Sequence, residues 1–348
     1  MIHRKIIPLL ILIVMQFFLF SCARQIYEVT YPTLLDGKYD SEFPYRSSSK
    51  QLEEISSTVN MLNVIVFYRN YIFTESHEFS IDKVKKGNAK DMADELINYN
   101  TTASGTATTV YYQNQRLGLL TCAHIVDFPD TVFTFYDKEN TIIRSMAIKD
   151  RQINYVSNLP EGDNMDIVFL DSDLDIALMG KRIKTEPEFP ISVFKYPFGK
   201  ARELEWGSFV YLMGYPIGNK MITKGIVSSP KHDRNTAFLI DAPFNRGSSG
   251  GIVLAIRDGI PNFELVGIAN SVSAKTKFLL GPGDDTDIDE SNVYLPYQGE
   301  LYLHQQENIR YGITHIIAIE AIIKSFKSHR NQLQRAGYNV DILLKQNS

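Results

Sequence analysis

Between residues 61 and 269 the chain alternates short apolar runs with polar, turn-forming residues. The first half holds Met61–Phe73, Thr108–Tyr112, Leu117–Thr121, Thr131–Tyr136, Ile153–Val156, Ile167–Leu170 and Ile176–Met179. The second half holds Phe209–Met213, Lys224–Val227, Ala237–Ile240, Ile252–Ile256 and Leu265–Ala269. β-Branched and aromatic residues fit a pleated, half-buried surface, so these runs predict strands. Many short strands divided by turns predict an all-β sandwich or barrel. Two segments break the pattern. Asp82–Asn98 has helical character within a polar insertion, and Ile316–Leu333 carries apolar residues at helical spacing. The latter predicts an amphipathic C-terminal helix packed on the strands.

The ends differ from this body. A basic MIHRK is followed by the apolar run IIPLLILIVMQFFLF and then Ser21-Cys22. A spanning helix needs roughly 20 apolar residues, so the run is short for one and reads as a secretory signal. Leu19-Phe20-Ser21-Cys22 resembles the lipobox of bacterial lipoproteins, whose Cys becomes the first mature residue and carries acyl chains. The resemblance implies a signal peptide over residues 1–21 and lipidation at Cys22. It also implies a bacterial cell-envelope location, anchored on the periplasmic or outer-membrane side. A signal-anchor helix with an incidental Cys, and plain cleaved secretion, are the other readings. Residues 22–58 are polar and Ser-rich, which predicts a tether with little structure of its own.

Composition narrows the function. The 348 residues are 44% hydrophobic and 22% charged, as in ordinary globular proteins, and the net charge is −4. There is no basic block, so a nucleic-acid partner is not expected. Two cysteines allow at most one disulfide, so this is not a disulfide scaffold. If Cys22 is lipidated, Cys122 is a lone thiol, expected to be a small buried residue. The acidic stretch GPGDDTDIDES, in a loop-like region from Lys275 to Gln306, does not fit a calcium-loop spacing. No metal or other cofactor is expected, and an oligomer is possible but not indicated.

The segment NRGSSGGIVLAI raises the question of chemistry. A serine hydroxyl is a poor nucleophile at neutral pH. It needs a base, a group to hold the base, and donors for the oxyanion. Of seven histidines, only His124 follows an apolar strand through a run of small residues, in GLLTCAHIV. Asp175, in DLDIALM, enters a buried strand, where a carboxylate is costly unless paired. Asp166, in NMDIVFL, has similar flanks and is its rival.

TCAHIV, DIALM and GSSGGIV, in the order His, Asp, Ser, resemble the signatures of trypsin-like serine proteases. The closest resemblance is to the bacterial HtrA/Deg-like protease domain. SGTA at 104–107, FVYLMGYPIG at 209–218, TKGIVSS at 223–229 and LVGIA at 265–269 resemble further segments of that domain. Any one motif is common; their joint order carries the likeness, which spans about residues 61–315. No PDZ-like module is expected after it. The resemblance implies two Greek-key β-barrels with a C-terminal helix, within a protease domain at 59–335. The first barrel would occupy about 59–200, the second about 201–312 and the helix about 313–335, with a tail at 336–348.

By the same resemblance, His124, Asp175 and Ser249 are the catalytic residues of an endopeptidase acting on proteins or peptides. The backbone N–H groups of Gly247 and Ser249 would form the oxyanion hole. Pro243 would line the base of the primary pocket, and Gly267, Ile268 and Ala269 the substrate-binding strand. No acid occupies the Pro243 place, so Lys or Arg preference is not expected. Two alternatives remain: a catalytically silent binding protein of the same fold, and a G-x-S-x-G esterase. The second requires a helix directly after the serine, where the sequence predicts a strand.

Overall fold

The computed structural model describes residues 35–345 apart from 45, 88, 160–163, 185, 186, 188, 233–236 and 282–301, and for 89, 90, 232, 271–281 and 302–311 only the backbone. The predicted signal, Cys22 and the acidic stretch of the late loop lie outside the described residues. Among the described residues no helix is long and apolar enough to cross a membrane.

Seven strands form the first sheet: β1 (Val59–Ile72), β2 (Glu95–Gln113), β3 (Arg116–Thr121), β4 (Thr131–Phe135), β5 (Ile143–Val156), β6 (Asp166–Asp171) and β7 (Ile176–Arg182). Their spatial order is β4-β5-β1-β2-β3-β7-β6, and every pairing is antiparallel. Six more strands close a barrel: β8 (Phe209–Gly214), β9 (Met221–His232), β10 (Ala237–Ile240), β11 (Ile252–Ile256), β12 (Phe263–Gly281) and β13 (Tyr302–Ala318). The architecture is therefore mainly β, in two units with helices at the C-terminal end. The second unit is a closed barrel, whereas the first is a half-barrel whose strand order does not return on itself.

Periodicity explains most of this. β1 alternates buried and half-buried positions along its length, as a strand with one face on the core must. β8 and β11 are buried at every position, which fits strands covered on both faces. Most of the buried apolar side chains of both units join one continuous core.

Four expectations need correction. The helix expected over 82–98 is two short helices, Ile81–Lys86 and Ala89–Met92, and the chain is already in β2 by Glu95. There it extends the hairpin with β1, where Tyr99 sits opposite Tyr68 with the rings stacked at 5.4 Å. Such a cross-strand aromatic pair stabilises an otherwise exposed ribbon. The start of the C-terminal helix is likewise misplaced. Ile316, Ile317 and Ala318 belong to β13, paired with Ala269, Ile268 and Gly267, and the helix begins at Ile319. A short apolar run does not by periodicity alone separate a buried strand from a helix.

The expected tail at 336–348 is part of the core as far as it is described. Tyr338, Val340 and Leu343 are buried, and the Tyr338 hydroxyl donates to the Leu117 carbonyl at 2.8 Å. Finally, the expected tether at 22–58 is packed in its second half. Ser49–Ser56 is a helix, and Tyr39 and Asp40 are clasped to the barrel. Asp40 N–H donates to Ile256 at 2.9 Å, its carbonyl accepts from Phe209 at 2.8 Å, and its carboxylate accepts from Gly259 N–H at 3.1 Å.

The clasp has a pH dependence. Burial pushes the Asp40 carboxyl up to about 6, opposed by the Gly259 hydrogen bond and reinforced by the Glu42, Asp258 and Asp36 carboxylates. Folding thus favours its protonated form. The stabilisation is complete below the unfolded-state pKa near 4 and is lost as pH rises through about 6. Asp40→Asn is expected to raise stability at pH 8 by about 2–3 kcal/mol and to change it little at pH 4. Urea unfolding of both proteins at both pH values checks this, and an equal effect at the two would contradict it.

Candidate active site

Three turns meet where the sheet and the barrel join. The first follows β3, where Ala123–Ile125 form a single 3-10 turn that presents His124. The second precedes β7 and holds Asp175 at φ 59°, in the left-handed region. Asp tolerates that region better than most residues, and here the turn is held from several directions. Oδ1 of Asp175 accepts the backbone N–H of His124 at 2.7 Å, and its carbonyl accepts the N–H of Ala123 at 3.2 Å. Oδ2 lies 2.7 Å from His124 Nδ1. A carboxylate can only accept, so Nδ1 carries the proton and Nε2 of the neutral ring is left as an acceptor. The histidine is half exposed and the aspartate mostly covered. Asp166 is remote from this arrangement, exposed in β6 opposite Gly180.

The third turn leads into β11 and carries Ser249. Gly247 has φ 94° and Gly250 φ 81°. A Cβ on Gly247 would lie 2.2 Å from the Tyr215 carbonyl oxygen, and one on Gly250 2.1 Å from that of Thr106. Both positions therefore require glycine for backbone conformation and for close approach. Ser248 N–H donates to Asn245, while the N–H groups of Gly247 and Ser249 have no acceptor among the described residues.

The turns are tied together through one backbone carbonyl. The Ala269 carbonyl accepts both the Cys122 thiol, at 3.4 Å, and the Gly250 N–H, at 2.8 Å. One oxygen thus joins the approach to His124 with the exit from Ser249. Among the described residues, however, no hydrogen bond links His124 to Ser249. The Ser249 hydroxyl instead donates to the Asn270 carbonyl at 2.9 Å. Asn270 sits at an irregularity in the β12–β13 pairing, between Ala269 opposite Ile316 and Ser271 opposite His315.

The remaining predicted residues fare differently. Pro243 is exposed, between buried Ala242 and Phe244. Asp241, two residues away, accepts the Ile226 N–H at 2.7 Å and so braces β9. Gly267 and Ile268 lie inside the barrel wall, each paired with β11 on one side and β13 on the other. Ala269 faces β13, and its N–H donates to Gly251 at 2.7 Å. Both sides of Gly267 and Ile268 are thus taken by neighbouring strands, and the edge that β11 leaves open among the described residues begins at Asn270.

Sequence reasoning missed two contributors. Asn270 is signalled only by the polar end of the run LVGIA. Thr106 is the other, fully buried. Its N–H donates to the Ser249 carbonyl at 2.8 Å, and its hydroxyl donates to Gly247 at 2.7 Å and accepts from Tyr215 N–H at 2.9 Å. Thr106→Val keeps the shape but strands two buried polar groups, each costing about 1–3 kcal/mol. It is expected to lower kcat about tenfold or more with little change in KM, while Thr106→Ser retains activity. Equal loss in both variants would contradict this positioning role.

A half-barrel and a closed barrel, with the His124–Asp175 pair on one and the Ser249 turn on the other, make a chymotrypsin-like fold. Residues 105–268 match the model of a family described as trypsin-like peptidase domain, and that span contains His124, Asp175 and Ser249. No curated protein sequence matches the chain. Among solved structures it is similar to the serine endoprotease from Yersinia pestis, at 15% identity and a TM-score of 0.39, covering 85% of this chain and 69% of that one. It is also similar to kallikrein-related peptidase 10, at 12% identity and a TM-score of 0.33, covering 67% of this chain and 90% of that one.

Proposed function

We propose that the protein is a serine endopeptidase of the HtrA/Deg-like type that cleaves protein substrates, tethered to the bacterial envelope through Cys22. The observation that carries the reading is the His124–Asp175 hydrogen bond, with the residue before the histidine turn, Cys122, and the residue after Ser249, Gly250, sharing the Ala269 carbonyl.

The substrate backbone lies along the open edge of β12 from Asn270 onward. Its N–H groups compete for the Asn270 carbonyl, which releases the Ser249 hydroxyl to turn toward His124 Nε2. His124 takes the hydroxyl proton as Ser249 attacks the scissile carbonyl. The N–H groups of Gly247 and Ser249, without an acceptor among the described residues, receive the oxyanion. Asp175 keeps the proton on Nδ1 and stabilises the imidazolium. His124 then protonates the leaving amine and activates the water that releases the acyl-enzyme. With Asp241 occupied and Pro243 at the pocket, the preferred side chain before the cleaved bond is small or medium and apolar.

The Ser249–Asn270 hydrogen bond is the observation that favours the second reading, a silent binding protein. Hydrolysis of a casein-type substrate and of a short-chain ester, by wild type and by Ser249→Ala, separates the readings. Casein cleavage lost in Ser249→Ala is the expected result. Ester turnover without casein cleavage, or no turnover of either, would contradict the peptidase reading.

A further inference from the structure

Beside the His124–Asp175 pair lies a third group that exchanges no proton in the proposed hydrolysis. Cys122 is fully buried, and its thiol donates only to the Ala269 carbonyl among the described residues. One donor atom from each of Cys122, His124 and Asp175 lies within 4.8 Å of the others. We propose that these three side chains form a binding site for a soft divalent cation, zinc or cadmium, and that its occupancy switches the catalytic base off.

The donor set decides the cation. Thiolate, imidazole and carboxylate together suit zinc and its softer relatives, whereas magnesium and calcium take oxygen ligands. Zinc bonds of roughly 2.0–2.3 Å in a tetrahedron place donor atoms about 3.2–3.8 Å apart. Nδ1 and Oδ2 now stand 2.7 Å apart and need only spread slightly. The sulfur lies within 4.8 Å of a donor atom of each of the other two and must come to within about 3.8 Å of them. Water would complete the shell from the side of His124, the most exposed of the three ligands.

The charges close. A dication, one thiolate and one carboxylate sum to zero, so the buried thiol is deprotonated against a neutralising charge. One proton leaves to solvent, from sulfur. The imidazole stays neutral, but the metal takes the Nδ1 position and the ring proton moves to Nε2. Nε2 is the atom that must accept the Ser249 proton, and in this tautomer it can only donate. Inhibition therefore follows from coordination alone, without blocking the substrate edge. The inhibitory half rests on the peptidase reading above, whereas the binding half does not.

The test uses the full chain with Cys22→Ser, which leaves Cys122 as the one thiol. Cadmium is titrated in while the ultraviolet thiolate-to-metal charge-transfer band is recorded. The expected result is a band saturating at one equivalent, absent in Cys122→Ala. His124→Ala and Asp175→Asn should weaken binding by at least roughly tenfold, the lower end of what losing even an outer-shell partner costs. In parallel, zinc should slow fluorophosphonate labelling of the parent but not of Cys122→Ala, and a chelator should restore it. No band in a folded parent overturns the proposal, as does a band indifferent to both His124→Ala and Asp175→Asn. A band with these dependences but no labelling at all, even without metal, would leave the cation site standing and sink the peptidase reading instead.

Discussion

Asp175→Asn is expected to lower kcat by about 10⁴-fold with the fold intact, the loss seen when a triad aspartate becomes an amide. The geometry gives the reason. Asp175 receives two hydrogens from His124, one from the backbone and one from Nδ1, at 2.7 Å each. An asparagine can keep the backbone bond through its oxygen. Its nitrogen then faces Nδ1 as a donor, which moves the ring proton to Nε2 and removes the base. KM should change little, because the side chain touches the histidine and not the substrate edge. Asp166→Asn is the matched control, since that residue lies exposed on another strand, and it should retain full activity. Steady-state kinetics on a peptide substrate check both. Comparable losses in the two variants would show that Asp175 has no special role.

Gly247→Ala is the second large effect, expected to cost roughly 10²–10³ in kcat, the range for losing one oxyanion donor. At φ 94° an alanine is strained, and its Cβ would meet the Tyr215 carbonyl oxygen at 2.2 Å. The turn must shift, and the Gly247 N–H shifts with it. Gly207→Ala separates strain from function. Gly207 also has positive φ, at 84°, but nothing lies within 4 Å of the Cβ it would gain. That variant should lose about 1–2 kcal/mol of stability and no activity. Thermal unfolding beside kcat distinguishes the two, and an active Gly247→Ala enzyme would rule out the assigned oxyanion turn.

How legible the molecule was in its sequence depended on how local the deciding physics is. The strand cores were legible, because burial on one face or two writes a pattern into each run. The His124–Asp175 pair was legible too. A carboxylate at the mouth of the buried run IALM needed a partner, and His124 supplies it. What stayed hidden is set by distant neighbours. Tyr39 and Asp40 sit in a polar, Ser-rich stretch that nothing local marks as ordered. They are fixed by bonds to Ile256, Gly259, Glu264 and Lys200, far along the chain. Tyr338 resembles a tail residue until its ring is seen to fill the space over Gly118 and Gly180. The free edge of β12 is hidden for a similar reason. LVGIA shows that a buried strand exists, but only the register with β11 and β13 shows where one side of it comes free. The resting bond from Ser249 to Asn270 depends on that same irregular register.

The central claim is that Ser249 is a nucleophile activated by His124. The most direct measurement is reaction with a fluorophosphonate probe followed by mass spectrometry of the adduct. A single phosphonylated residue, Ser249, is expected, with labelling abolished in Ser249→Ala and strongly slowed in His124→Ala. An adduct that persists in Ser249→Ala, or a folded wild type that never reacts, would contradict it.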